Sequence, residues 1–378
     1  MVDNVIISEE DSNIKIVKLN EFLLKDVSKS IPFGMVLILS TPSIYFEKGI
    51  TLKEELEAQD NKVISIILEE NFILSVEDVC GIFNANEEIR AVIALDYRVF
   101  SAAEYFGSLK NIKCYLCSYS FPLCFGLEDT IYIKNQSSID KFNLNINRLL
   151  LIDSECDKRK DFYKNVITYL AEKGCKAIDC YVKSVFIDKE DVILLSNLLS
   201  TLLEIILSAE NKTKLIYKCI DLEKYFLQSK WSNYLSAVSV AKFLANSNDS
   251  FYFSFKILEI YCNAAVNCSD CYKIVDYRTR LERLIKLFPF NERNILNEYV
   301  QQAKTVRERI NILSGIFNKI VGDLQLINTA FSGLKEKFKI NNYLCEKNQA
   351  FRDAVIFSGD TPLSFNGMSV IRELNYKV

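Results

Sequence analysis

The 378-residue sequence contains no histidine. Histidine is the commonest metal ligand and the side chain that titrates nearest neutrality without help from its surroundings. Ser-His-Asp and Cys-His nucleophile systems and imidazole-ligated metal sites are therefore excluded. Any general base would have to be an Asp, Glu, Lys, Tyr or Cys whose pKa its environment has moved. Glycine and proline are also scarce, 11 and 5 residues, less than half of the usual shares of about 7% and about 5%. Phosphate-cradling loops need glycine, and neither a Walker-type loop nor a Gly-x-Ser-x-Gly elbow occurs.

Excess positive charge is missing too. The formal net charge is −3, so no overall basic field draws in nucleic-acid phosphates, and no nucleic-acid partner is expected. The most apolar stretch, Val192 to Leu207, is interrupted by Asn197 and Glu204 and is too short to cross a bilayer. It reads as a buried core helix, so no membrane association is expected. The first residues, MVDNVIISEEDSN, are acidic and lack the basic and apolar regions of a signal peptide. A soluble, cytoplasmic protein is the expectation.

What is present is an ordinary globular balance, 49% apolar and 25% charged residues. The length exceeds the roughly 250–300 residues at which a single core stops growing, which predicts two domains. The 12 cysteines are expected to be reduced, mostly structural thiols. The 25 phenylalanines and 19 tyrosines are expected to serve core packing.

Short apolar runs alternate with amphipathic segments over residues 30 to 135. Met35–Leu39, Val63–Leu68, Ala91–Leu95 and Cys114–Leu116 read as buried parallel strands. Leu52–Ala58, the segment from Ser75 to Phe83, and Phe100–Leu109 read as helices, with Ser75 as N-cap and Asp78 three residues on. This repetition predicts a doubly wound, mostly parallel sheet of nucleotide-binding type. Thr130–Lys134 and Leu149–Asp153 read as late strands or a hairpin at its edge. From about Asp161 the period is helical: 162–173, 189–207, 214–228, 233–244, 277–288 and 292–339. The expected architecture is an α/β N-terminal domain, residues 1–155, and an all-α C-terminal domain, residues 156–378.

Two Cys-x-x-Cys pairs occur, Cys114/Cys117 and Cys268/Cys271. Their separation far exceeds that of a four-thiolate zinc motif; Cys268/Cys271 is either a local redox pair or, like the other cysteines, two structural thiols. Arg278, Arg280 and Arg283 form a basic cluster, either a receptor for a phosphate or acidic partner, or a solvated helix face.

In a dinucleotide-binding sheet, the loop after a strand brings main-chain N–H groups and a helix N-terminus to the pyrophosphate. The corresponding loop here is Leu95-Asp96-Tyr97-Arg98. Tyr97 places a ring where phosphate would sit. Asp96 sets negative charge against a negative ligand, a juxtaposition that costs several kcal/mol. Arg98 offsets part of that charge for an anion of a different kind.

The order of elements from Met35 to Ile133, with AVIALDYRVFSAAEYFG and IKCYLCSYSFPLCFG within and just beyond it, resembles the iron-containing alcohol dehydrogenase superfamily. Glycerol-1-phosphate and glycerol dehydrogenases and dehydroquinate synthase belong to it. The resemblance implies NAD(P), and zinc or iron. In its first motif, Leu95, Asp96 and Tyr97 stand at three glycines, Arg98 at a serine, Ser101 at an aspartate and Glu104 at a lysine, while Ala102 and Ala103 match. In the second, Cys117-Ser118 stands at a Pro-Thr pair, leaving Ser118 as the retained hydroxyl. The superfamily's metal is held by one Asp and two His. Ile178-Asp179-Cys180-Tyr181-Val182-Lys183 resembles its Gly-Asp-Leu-x-Ser-Lys pattern and puts Asp179 at the carboxylate position, as a remnant. Residues 236–260 take the place of the first His-bearing helix and carry Phe251, Tyr252, Phe253 and Phe255 instead.

The expectation is therefore a catalytically degenerate relative with no catalytic residue and with NAD(P) and zinc or iron lost. It would act by binding an unknown small molecule or protein partner, as a homo-oligomer or with an active paralogue. The alternative is an active NAD(P)-type or metal-free enzyme of the same superfamily, acting on a small polyol, phosphate ester or ketone, with Arg98, Ser118 and Asp179 at its site.

Overall fold

The computed structural model describes residues 13–31, 33–68, 74–84, 88–121, 130–134, 139–187, 201–202, 204–205, 212–228, 236–247, 249–266, 282–283, 285–287, 321–333, 335–336 and 348–358. The chain divides into two compact units, Met1–Phe162 and Tyr163–Val378.

The first unit is built on six parallel strands: β1 (Ile14–Val17), β2 (Met35–Ser40), β3 (Lys62–Ile67), β5 (Ile89–Ala94), β6 (Lys113–Ser118) and β9 (Arg148–Asp153). They lie in the order β1-β9-β6-β5-β2-β3. Both faces are covered, which is why the central strands read as unbroken apolar runs rather than alternating ones. On one face Val36, Ile38, Ala91, Ile93, Tyr115 and Leu151 pack with Leu19, Leu23 and Val27, and with Leu52 and Leu56 of α1 (Ile50–Glu57). Cys114 of β6 belongs to the other face, where its thiol donates to the Ala103 carbonyl 3.2 Å away.

Leu149–Asp153 is not an edge element. It lies inside β9, between β1 and β6, and Leu150, Leu151 and Ile152 are fully buried. The edge on that side is β1, a four-residue strand too short to announce itself in the sequence. Thr130–Lys134 forms β7 of a separate three-stranded sheet, with β4 (Leu74–Ser75) and β8 (Ile139–Asn143) on either side.

The helix start expected at Ser75 is formed as the sequence indicates. At α2 (Val76–Asn84), the Asp78 N–H donates to Ser75 Oγ at 3.0 Å and the Ser75 N–H donates to Asp78 Oδ2 at 3.0 Å, a reciprocal capping box. α3 (Phe100–Lys110) ends at Asn111, whose φ of 53° closes the helix in the left-handed conformation that asparagine tolerates.

Every described element of the second unit is helical. α4 (Phe162–Ile187) begins at the boundary and is far longer than the expected Phe162–Lys173 segment. It is followed by α5 (Lys212–Gln228), α6 (Ala237–Leu244), α7 (Ser250–Val266) and α8 (Gln349–Phe357). α6 packs on both α7 and α8. Phe253 of α7 meets Phe351 of α8 with ring centres 5.1 Å apart. The aromatic run in residues 251–255 is thus core, as its composition implied. No helix among the described residues is long and apolar enough to cross a membrane.

Candidate functional site

In an open parallel sheet, ligands bind beyond the carboxyl ends of the strands, at the point where the strand order reverses. Here β2 is followed outward by β3, whereas β5, β6 and β9 add on its other side. The reversal falls between β2 and β5. Thr41 follows the first of these strands and Leu95-Asp96-Tyr97-Arg98 the second.

That point is filled by the protein's own charges. Asp96 is 5% exposed. Its Oδ1 accepts from the Arg98 main-chain N–H at 3.0 Å and from Arg98 Nε at 3.0 Å. Its Oδ2 accepts from Arg98 Nη2 at 2.5 Å and from Thr41 Oγ1 at 3.3 Å. The Arg98 guanidinium also donates to Thr41 Oγ1 at 3.3 Å and lies over the Tyr97 ring, 5.8 Å from its centre. Asp96 is the N-cap of the 3-10 turn Tyr97–Val99 that leads into α3. The carboxylate therefore receives the donors that a helix start would otherwise offer to an external anion.

The backbone explains why no glycine is needed. Asp96 has φ −158° and ψ 143°, extended values open to any residue. None of residues 95–98 appears among those with positive φ. The turn is shaped for side-chain capping, and a pyrophosphate does not fit against it.

Ser118 ends β6, next to β5 in the sheet. It is buried and its hydroxyl donates to the Ser120 carbonyl at 2.7 Å, fastening the turn that follows. Glu104 has a structural use as well: it is buried and accepts from Arg148 Nη1 at 3.1 Å, tying α3 to β9.

Asp179 lies on α4 with 0% exposure. Its Oδ1 accepts a short hydrogen bond from the Tyr261 hydroxyl, and its Oδ2 accepts from the Ala237 N–H at the start of α6 at 3.2 Å. Burial pushes its pKa up to about 7, against the two hydrogen bonds that pull it down. With both oxygens engaged inside the helical unit and no histidine in the chain, the residues do not fit a zinc or iron ion. Among the described residues, no group of three or more His, Cys, Asp or Glu could hold a metal.

No protein-family model and no curated protein matches the sequence. Solved structures do resemble it. Sulfoacetaldehyde reductase from Bifidobacterium kashiwanohense, determined in complex with NAD+, is similar over 97% of this chain and 95% of its own, at 11% identity and TM-score 0.53. A halo-thermophilic archaeal alcohol dehydrogenase from a Red Sea brine pool is similar over 92% and 91%, at 10% identity and TM-score 0.52. The fold is theirs. It is the fold that the resemblance to the iron-containing alcohol dehydrogenases implied. What it carries at the switch point is the Asp96–Arg98 pair.

The structure brings Asp96, Tyr97 and Arg98 together at the switch point, with Ser118 at the end of the neighbouring strand. Asp179 belongs to the second unit, among α4, α6 and α7. Thr41 was missed in the sequence, although it directly follows the apolar run MVLILS, where a ligand-facing turn belongs. Cys114 and Cys117 are buried on β6 and bond to the separate carbonyls of Ala103 and Tyr115, so they do not converge on a metal. Cys268, Cys271, Arg278 and Arg280 lie outside the described residues. Arg283 donates to Asp353 Oδ1 on α8 at 2.7 Å. The sequence also did not announce Lys173, whose ammonium lies 2.8 Å from Glu223 Oε1, or Tyr169, which donates to Glu223 Oε2 at 2.6 Å. This buried trio joins α4 to α5, and the cationic partner holds the Glu223 carboxyl below its usual range despite burial.

Proposed function

We propose that the chain is a catalytically degenerate relative of the iron-containing alcohol dehydrogenases, a pseudoenzyme that acts by binding. A cytoplasmic protein that associates with itself or with an active paralogue fits this reading. The observation that carries it is the occupancy of the switch point: the Asp96 carboxylate takes the Arg98 N–H and guanidinium and the Thr41 hydroxyl. A second, independent observation supports it. Asp179 is committed to Tyr261 and to the start of α6, and the sequence offers no imidazole to complete a metal site.

The two losses concern different chemistries. Hydride transfer needs the dinucleotide held against main-chain donors, and substrate polarisation by a metal needs three or more ligands around one ion. A chain lacking both has no route to the dehydrogenase reaction of the proteins that share its fold.

The test is elemental analysis of protein purified from cells grown with added zinc and iron. Substoichiometric metal is expected. One zinc or iron per chain, removable by a chelator with loss of an alcohol dehydrogenase activity, would overturn the proposal.

A further inference from the structure

Away from the Asp96 turn, the first unit has a second opening at the carboxyl end of its sheet. β1 and β9 run parallel, with Val17 opposite Asp153, and both strands end at a cavity of about 360 Å³. Its lining includes Lys18, Glu21, Lys48, Asp153, Lys158 and Arg159. The volume lies at the lower end of small-molecule sites, about 300–1,000 Å³.

The charges are arranged unevenly. Lys158 is held at 2.7 Å by Glu155, and Lys18 sits 3.5 Å from Glu21, all on exposed side chains. Lys48 and Arg159 differ. They are 29% and 33% exposed, and both face Glu47, at 3.7 and 3.9 Å. These separations are ion pairs without a hydrogen bond. The guanidinium fork and the ammonium are therefore poised for an anion that approaches to bonding distance, which a phosphate group does best by meeting the fork with two oxygens. Asp153, at the end of β9, accepts from the Leu19 and Glu155 N–H groups at 3.5 and 3.3 Å. Burial raises its pKa, against the two main-chain hydrogen bonds that pull it down.

We propose that this cavity binds a small phosphate-bearing anion, with Lys48 and Arg159 as its principal contacts. The site does not depend on the dehydrogenase-like reading, because it stands apart from Asp96, Arg98 and Thr41.

The test is calorimetric titration of the full chain with inorganic phosphate and, separately, methyl phosphate, in phosphate-free buffer. Saturable binding is expected for at least one of them, weakened about tenfold or more by Lys48→Ala and by Arg159→Ala, and unchanged by Lys110→Ala at the far end of α3. Tighter binding of methyl phosphate would identify an esterified ligand, and tighter binding of inorganic phosphate a free one. Thermal unfolding of each variant without ligand checks that it is folded. No saturable binding by the wild type would overturn the proposal. So would binding that survives the Lys48→Ala/Arg159→Ala double variant, or binding that survives it and disappears in Arg98→Ala, which would assign the anion to the other turn.

Discussion

The Asp96 carboxylate accepts hydrogen bonds from both the main-chain N–H and the side chain of Arg98, two residues further along. One carboxylate thereby caps the helix start and neutralises the adjacent guanidinium. A helix start and an arginine beside a parallel sheet are what a phosphate-binding turn offers. This chain offers them to itself.

Asp96→Ala should destabilise the first unit. It leaves the partly buried Arg98 without its carboxylate and removes the N-cap, and these losses together are worth about 2 kcal/mol after allowance for the guanidinium's contact with water. Asp96→Asn keeps a cap acceptor and should lose less. Urea denaturation of the three proteins measures the order, and equal stability of Asp96→Ala and wild type would contradict the arrangement described.

Asp179 predicts a pH dependence in the helical unit. Its folded-state pKa is raised to about 7 from 3.8, so the folded chain holds the proton more tightly than the unfolded one. Its contribution is fully present below about pH 4 and is lost as the pH rises through 7. The loss is on the order of 4 kcal/mol at most. Asp179→Asn should remove that slope, which unfolding at pH 5 and pH 8 would reveal as a smaller difference than in the wild type.

Gly107 has no room for a side chain. A Cβ there would stand 2.0 Å from Cys114 Sγ and 3.3 Å from the Ile112 carbonyl oxygen, so α3 would have to move off β6. Gly107→Ala should cost roughly 1–3 kcal/mol, the range for overpacking. The double variant Gly107→Ala/Cys114→Ala should recover part of it in a thermal melt.

Six of the buried cysteines should be inert. Cys114, Cys156 and Cys262 are buried with thiol pKa values pushed up to about 12, chiefly by desolvation. Cys117, Cys175 and Cys219 are raised as well. Because the thiolate is the reactive form, mass spectrometry after treatment with a thiol reagent at pH 8 should find these six unlabelled in the native protein and labelled in urea.

The sheet was legible because parallel strands covered on both faces write long apolar runs such as MVLILS and AVIAL. β1 was not, since four residues of mixed character give no periodic signal and its place depends on pairing with β9, more than a hundred residues away. The turn at residues 95–98 could be located from the sequence by its position after an apolar run. That Asp96 would engage Arg98 rather than face outward could not, because it depends on a rotamer and on Thr41 arriving from β2. Asp179 illustrates the same limit. It lies beyond the helix expected at 162–173, on the part of α4 that the period did not reveal, and its partners Tyr261 and Ala237 come from two other helices that only the packed structure brings to it.

The most direct test of the account is a calorimetric titration of the intact chain with NAD(H) and NADP(H). An Asp96–Arg98 pair that closes the switch point predicts no saturable binding of any of the four at micromolar concentrations. Micromolar affinity for one of them, abolished by substitution in the turn at residues 95–98, would contradict it.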